Sequence, residues 1–185
     1  MSNKFEDNCN NICLWAQDLS KFGSRAHNIS AYQGGDNVFG PSTFEIFFRA
    51  SRHNVFGYIC RNIVLGTNCD TNVFCSGVND VIFGGWCYSN KLERSVVGVT
   101  FGNYCSFNDI DEESHNITFG NNFRSNTIGK LCKNVTLNTA GGSQTNNVKF
   151  VRVCDSVENL TAYPTRNATY EQIYYRVGRV ETVVN

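Results

Sequence analysis

The stretch that decides the fold is Val99-Thr100-Phe101-Gly102-Asn103-Tyr104-Cys105, answered eighteen residues later by Ile117-Thr118-Phe119-Gly120-Asn121-Asn122-Phe123. Side chains in a strand alternate between faces, so Val99 and Phe101 point inward while Thr100 points outward. Working outward in steps of nine gives Phe47, Phe56, Leu65, Phe74, Phe83, Leu92, Phe101, Ile110, Phe119, Ile128 and Leu137, with Val38 and Ile29 before them. A large apolar residue at every step is the signature of a repeat architecture. Two residues ahead of each anchor the pattern doubles its period. Asn54, Asn72, Asn90, Asn108 and Asn126 alternate with Ile63, Val81, Val99, Ile117 and Val135. The repeat is therefore 18 residues, built from two similar nine-residue halves. A 27-residue triangular coil is excluded, because it would stack Asn on Val.

The composition turns this period into a fold. The 185 residues include 25 Asn, 16 Gly and 14 Phe against 7 Leu, 7 Ala and 2 Pro. Asn and Gly disfavour helix interiors, and the strong helix formers are scarce. The chain is predicted to be all-β, a β-solenoid or parallel β-helix with 18-residue coils, followed by a C-terminal β-hairpin. Coils stack ~4.8 Å apart, so like sits on like: Phe on Phe, and Asn amide on Asn amide in a ladder. Gly66, Gly84, Gly102 and Gly120 follow the anchor of one half, where a positive φ or a tight bend is expected. Residues 1–25 read as irregular N-terminal rungs or a cap, although Phe5 to Cys9 and Asn11 to Leu14 carry the same motif in a shifted register. Residues 26–161 read as the solenoid, with Asn147 to Phe150 and Asn159-Leu160-Thr161 as late rungs. Residues 162–185 read as the hairpin, a cap or oligomerisation segment.

Sixteen basic against sixteen acidic residues leave no Lys/Arg excess for a phosphate backbone, so no nucleic-acid partner is expected. No apolar run reaches the ~20 residues of a membrane span, and no signal-peptide pattern follows Met1. Assembly is expected in the cytoplasm of the cell that makes the chain. Nine Cys is an odd number, so they cannot all pair within one chain. Cys69, Cys87 and Cys105 recur at coil spacing, with Cys60 and Cys132 in the other half. They read as buried, reduced core thiols and not as a metal site, since a straight column lacks the two close pairs that tetrahedral zinc wants. Cys9 and Cys13, four apart, read as packing residues.

The phrases Phe101-Gly-Asn-Tyr-Cys105, Phe119-Gly-Asn-Asn-Phe123 and Phe83-Gly-Gly-Trp-Cys87 resemble the Asn-x-Phe-Gly-Asn-x-Cys arrays of Bacteroidota phages and prophages. The resemblance covers roughly residues 50 to 180. It implies a structural or receptor-binding role in a virion, as a tail or head fibre, spike or appendage. It also implies a homotrimer that contacts other virion proteins and a host surface glycan.

Asp109, Asp111, Glu112 and Glu113, just before His115, form the one acidic cluster. It could serve a polysaccharide-degrading spike as acid and base, or hold a cation; a solvated coil edge is the plainer reading. Hexapeptide acyltransferases and calcium-binding rolls are excluded, because neither the sixth-residue aliphatic nor the Gly-Gly-x-Gly-x-Asp turn recurs. His27, His53 and His115 fall at non-equivalent positions of an 18-residue coil. Thr100, Thr118 and Thr136 form an outward column, too short to argue for ice binding. Asn28, Asn116, Asn134, Asn159 and Asn167 begin Asn-x-Ser/Thr sequons that the repeat generates by itself. No catalytic residue, cofactor or metal is assigned.

The predicted partner surface is apolar. Val55, Val64, Val73 and Ile82 point outward on consecutive half-coils, and contiguous exposed apolar groups mark interfaces. Tyr170, Tyr174 and Tyr175, with Ile173, Val177 and Val180, add large side chains in the tail. A homo-oligomer, a trimer by resemblance, is expected to use both regions. The competing arrangement has segment 36–50, with Phe44, Phe47 and Phe48, folded back over the valines. A cell-surface adhesin outside any virion is a further alternative.

Overall fold

A computed structural model describes residues 3–15, 18–129, 131–137, 147–150 and 158–162. Every regular element among them is a strand. In chain order these are β1 (Lys4–Phe5), β2 (Asn10–Leu14), β3 (Lys21–Phe22), β4 (His27–Gly35), β5 (Val38–Phe39) and β6 (Phe44–Arg52). Then come β7 (Val55–Phe56), β8 (Arg61–Leu65), β9 (Val73–Phe74), β10 (Asn79–Phe83), β11 (Lys91–Leu92) and β12 (Val97–Phe101). The last six are β13 (Asp109–Ile110), β14 (His115–Phe119), β15 (Arg124–Ile128), β16 (Lys133–Leu137), β17 (Asn147–Phe150) and β18 (Glu158–Ala162). Odd strands form one nine-stranded sheet and even strands the other, each in chain order, and all pairings are parallel. The chain is a β-solenoid. Each coil lays one short and one longer strand on its predecessor, and eight strand spacings give a length of ~38 Å.

The core lies between the two sheets. On the odd sheet Phe5, Phe22, Phe39, Phe56 and Phe74 stack ring on ring, with centroids 4.7, 4.7, 4.9 and 4.6 Å apart. On the even sheet Phe83, Phe101 and Phe119 repeat this at 4.6 and 4.8 Å. Edge-to-face pairs tie the sheets together, Phe39 to Phe48 at 5.7 Å and Phe74 to Phe83 at 5.4 Å. Each buried Phe contributes ~1.5–3 kcal/mol of transfer free energy. The column Ile29, Ile46, Ile63, Val81, Val99, Ile117 and Val135 is buried beside them.

The asparagine ladder forms, and it reaches one rung further back than the repeat alone suggests. Asn37, Asn54, Asn72, Asn90, Asn108 and Asn126 are all buried. The Nδ2 of each donates to Oδ1 of the next at 2.9 to 3.0 Å. The backbone N–H of each donates to the same oxygen at 3.0 to 3.1 Å. That second bond follows from the residue before each Asn, which lies in the left-handed region, as Asp36, His53, Thr71, Ser89, Phe107 and Ser125 do with φ 52° to 57°. The turn rotates the next peptide so that its N–H faces the following coil. Strand N–H groups point the other way; Val55 N–H donates to Asn37 O at 2.8 Å. Each coil thus bonds both neighbours, and no buried amide on the ladder lacks a partner.

Four expectations need correction. The anchor series is wrong before residue 56. Phe48, not Phe47, pairs with Leu65, and Phe39, not Val38, stacks on Phe56. Phe47 is 48% exposed. The cause is a change of period. The first coils step by 17 residues, as in Phe22↔Phe39 and Phe39↔Phe56 spacing, and the later ones by 18. The added residue sits at one corner. Ala31 to Asn37 and Phe48 to Asn54 span six steps, whereas Leu65 to Asn72 spans seven and contains an extra left-handed residue, Asn68 (φ 57°). Segment 36–50 accordingly does not fold back over the valines; it supplies β5 and most of β6. The glycine row also has a different cause. Gly66, Gly84, Gly102 and Gly120 are not left-handed; a Cβ on Gly84, Gly102 or Gly120 would meet the backbone carbonyl carbon of the glycine one coil earlier at 2.7 Å. Close approach of stacked corners, not backbone handedness, demands glycine. Finally, His27 and His115 do share a column, through Phe44, Arg61, Asn79 and Val97.

The segment expected as irregular N-terminal rungs carries β1 to β3 within the same two sheets. The hairpin expected over residues 162–185 lies outside the described residues, apart from Ala162 at the end of β18.

Candidate functional site

Nine residues are half a coil, so positions nine apart lie on opposite sheets. Val55 and Val73 therefore face out from the odd sheet, and Val64 and Ile82 from the even one. The structure separates the four into two back-to-back ridges. On the odd sheet Val38, Val55 and Val73 are in register, bounded by Lys21 and Lys91. On the even sheet Phe47, Val64 and Ile82 are in register, followed by Thr100, Thr118 and Thr136. Ile82 is 49% exposed. Thr136 is paired in register with Thr161 of β18. Tyr170, Tyr174 and Tyr175 lie outside the described residues.

The acidic cluster is a surface ion-pair group. Arg94 reaches Glu113 at 3.0 Å and Glu112 at 3.4 Å, and Asp111 Oδ1 accepts the Glu112 backbone N–H at 2.7 Å. Asp109 points outward between Lys91 and Thr127; partial burial and then the nearby Asp111 push its carboxyl above the ordinary range. Arg94 spans Glu112 and Glu113, while Asp109 and Asp111 remain exposed at the coil edge. No group of three or more metal-ligating side chains occurs among the described residues.

Cys60, Cys69, Cys87, Cys105 and Cys132 are buried in the interior, whereas Cys9 is half-buried and Cys13, expected as a packing residue, is exposed. Burial raises the Cys60 thiol to about 11. Cys87 is pushed up further, by thiol contacts to Cys105 and Cys69 and by burial. Ser51 Oγ continues this column, 3.8 Å from Cys69 Sγ. Contact with the Cys87 thiol holds Cys69 and Cys105 below the ordinary thiol range, against the opposing effect of burial, and the column packs as small apolar groups in the core.

Two exposed aromatic stacks stand at the corner where the even strands end. Trp86 and Tyr104 lie face to face at 4.3 Å. Trp15 and Tyr32 meet at 4.7 Å with rings tilted 48°. The Arg49 guanidinium covers Tyr32 at 4.5 Å and hydrogen-bonds its hydroxyl. Trp15 is 69% exposed. Where the period changes, a cleft of about 490 Å³ opens at the ends of β4 and β6. Strands β4 and β6 run on past the corner to Gly35 and Arg52, while the next coil turns through Asn68. Asp18, Gln33, Asp36, Ser51, Arg52 and Asn68 line the opening. Asp18 Oδ1 accepts the Gly35 N–H at 2.7 Å, Arg52 pairs with Asp70 at 3.5 Å, and Asp36 faces His53 at 3.7 Å. Sequence reasoning missed this place. Its signal was the 17-residue spacing of Trp15, Tyr32 and Arg49, hidden by an 18-residue frame.

No family model, curated protein or solved structure matches the chain.

Proposed function

We propose that the chain is a structural and adhesive part of a phage virion, a stiff rod that meets other virion proteins and a host surface through its outward ladders. The observation that carries this reading is the continuity of the two sheets. Eighteen strands stack in unbroken order with a buried amide ladder along one edge, an arrangement suited to bearing load and displaying side chains at fixed intervals. The Phe-Gly-Asn-x-Cys phrases supply the virion context by resemblance. The two apolar ridges support association with further copies, a trimer by the same resemblance. The polysaccharide-degrading reading gains no support from the cluster, in which Arg94 binds Glu112 and Glu113, and the cleft at the ends of β4 and β6 does not reach Asp109 or Asp111. Gold-labelled antibody against the chain, applied to particles released from cells that carry the gene, is expected to mark a particle appendage. Label confined to the cell envelope would overturn the virion assignment and favour a cellular adhesin.

A further inference from the structure

We infer that copies of the chain associate side by side, parallel and level with one another, through the outer face of the odd sheet. The inference rests on the association of copies proposed above and names the face and the register for it. On this face each coil shows two positions, the outward residue of the strand and the residue two further on, where the chain leaves the strand. In three successive coils the first position is valine and the second is small: Val38 with Gly40, Val55 with Gly57, and Val73 with Cys75. A Cβ on Gly40 or Gly57 would meet the backbone of the preceding coil at 2.7 or 2.9 Å, so the surface is bare backbone there. Each of these valines is a knob beside a hollow. Towards either end of this stretch the two positions carry opposite charges, Lys4 with Glu6 and Lys91 with Glu93.

A rotation axis parallel to the rod brings the first position of one copy against the second position of its neighbour at the same coil. Valine then sits over bare glycine backbone or over Cys75, and lysine faces glutamate. These rungs are their own complements, so one face supplies both halves of the contact. The same pairing holds for any ring of copies about such an axis, a trimer included. Turning one copy end for end about Val55 would instead keep each column against itself. Valine would meet valine, and Lys21 would meet Lys91. Like charges opposed across a contact cost affinity, so the charge pattern selects the parallel arrangement. Asp109 and Asp111, on the next coil, are alike in charge and mark where the contact ends.

The exposure of the face agrees. Val38 is 40% exposed, and Tyr58 and Ile59, which follow Gly57 at the corner, are 58% and 61% exposed. Large apolar groups left contiguous in water mark a contact surface. The even sheet also sets large beside small, as in Val64 with Gly66 and Ile82 with Gly84. On those two columns, from Cys13 to Gly120, Arg49 is the sole charged residue, so no rung of opposite charges fixes the level of a neighbour there.

The test uses the full chain. Isotope-labelled and unlabelled protein are mixed dilute, concentrated together and treated with a carbodiimide, which joins a lysine amine to a carboxylate in contact with it. Peptides linking Lys91 to Glu93, with one half labelled and the other not, are expected. Lys91→Glu and Glu93→Lys, each alone, are expected to weaken association about tenfold or more in sedimentation equilibrium at low salt, with circular dichroism unchanged. Mixed with one another, the two variants are expected to recover it, because opposite charges face each other again. Links between chains from Lys4 to Asp109 would reveal an end-for-end arrangement and overturn the inference. An assembled chain without the Lys91–Glu93 link, or a mixture no stronger than its parts, would overturn it equally. These results leave association itself standing, whereas a chain that stays monomeric removes both.

Discussion

Replacing Asn90 by alanine is the sharpest probe of the interior. Asn90 Oδ1 accepts two bonds from Asn72, from Nδ2 at 2.9 Å and from the backbone N–H at 3.0 Å. Its own Nδ2 donates to Asn108 Oδ1 at 2.9 Å and to Cys69 O at 3.0 Å. Alanine leaves both Asn72 donors without an acceptor in a place that water does not reach. Each orphaned buried donor costs ~1–3 kcal/mol, so the loss is ~2–6 kcal/mol. Asn108 Oδ1 suffers less, because the backbone N–H of residue 90 still reaches it. The ladder also sets an internal control. At its head, Asn37 Oδ1 accepts the Ser20 N–H at 2.9 Å, and Asn37→Ala orphans that single donor, for ~1–3 kcal/mol. Asn90→Asp keeps the acceptor but places a carboxyl oxygen against Asn108 Oδ1. Burial raises that carboxyl's pKa, so stability is fully present below the unfolded value, ~4, and is lost progressively as pH rises from there through the higher folded value. The assay is a urea titration with the slope unchanged across variants. If Asn90→Ala proved no more costly than the outward change Thr118→Ala, the hydrogen-bond account of the ladder would be refuted.

Phe101→Ala is expected to cost ~3–5 kcal/mol through lost transfer energy and a cavity between the Phe83 and Phe119 rings, against a few tenths for Thr118→Ala; equal midpoints in denaturant would put the strand phase in error. Gly102→Ala should destabilise by ~1–3 kcal/mol through overpacking against Gly84, and a D-alanine at 102 should give no relief, since φ there is not left-handed. Stability should fall as pH rises from about 9 towards 11, because the Cys60 thiol stays protonated in the fold while the unfolded chain loses its proton; Cys60→Val should flatten that slope in thermal melts. Light scattering on the purified chain is expected to show a multiple of 20.7 kDa, and a monomer at micromolar concentration would mean that the two apolar ridges do not join copies.

The later coils were legible because their step is a constant 18, so a nine-residue comb set on Phe101 stays on the buried residues back to Phe56. In the early coils the phase is ambiguous in sequence. Phe47 and Phe48 are both large, as are Val38 and Phe39, so a nine-residue comb catches an apolar residue whichever period holds. A one-residue change of period leaves no compositional trace there; only the hydrogen-bond register reveals it. The asparagine ladder was readable from spacing, since a polar residue recurring in an apolar setting has few other uses. The reason for the glycine row was not, because a close backbone approach and a left-handed turn ask for the same residue. The split of Val55 and Val73 from Val64 and Ile82 follows from simple counting, half a coil being half a revolution. The cleft at the ends of β4 and β6 could not be read at all without the shorter period of the first coils.

The corner between Leu65 and Asn72 carries a consequence for the gene. Loss of one codon near Asn68 would turn an 18-residue coil into the 17-residue kind already present upstream, and every side chain beyond it would keep its face. Loss of a codon within Val97–Phe101 would instead turn Phe101 and its neighbours inside out. Whole coils, by contrast, touch only the coils before and after them. Duplication or excision in units of about 54 nucleotides, three for each residue of an 18-residue coil, would lengthen or shorten the rod and leave its cross-section intact. Natural variants of this gene should therefore differ by whole coils or by single codons at this corner, and an alignment with single-codon gaps scattered along the strands would speak against it.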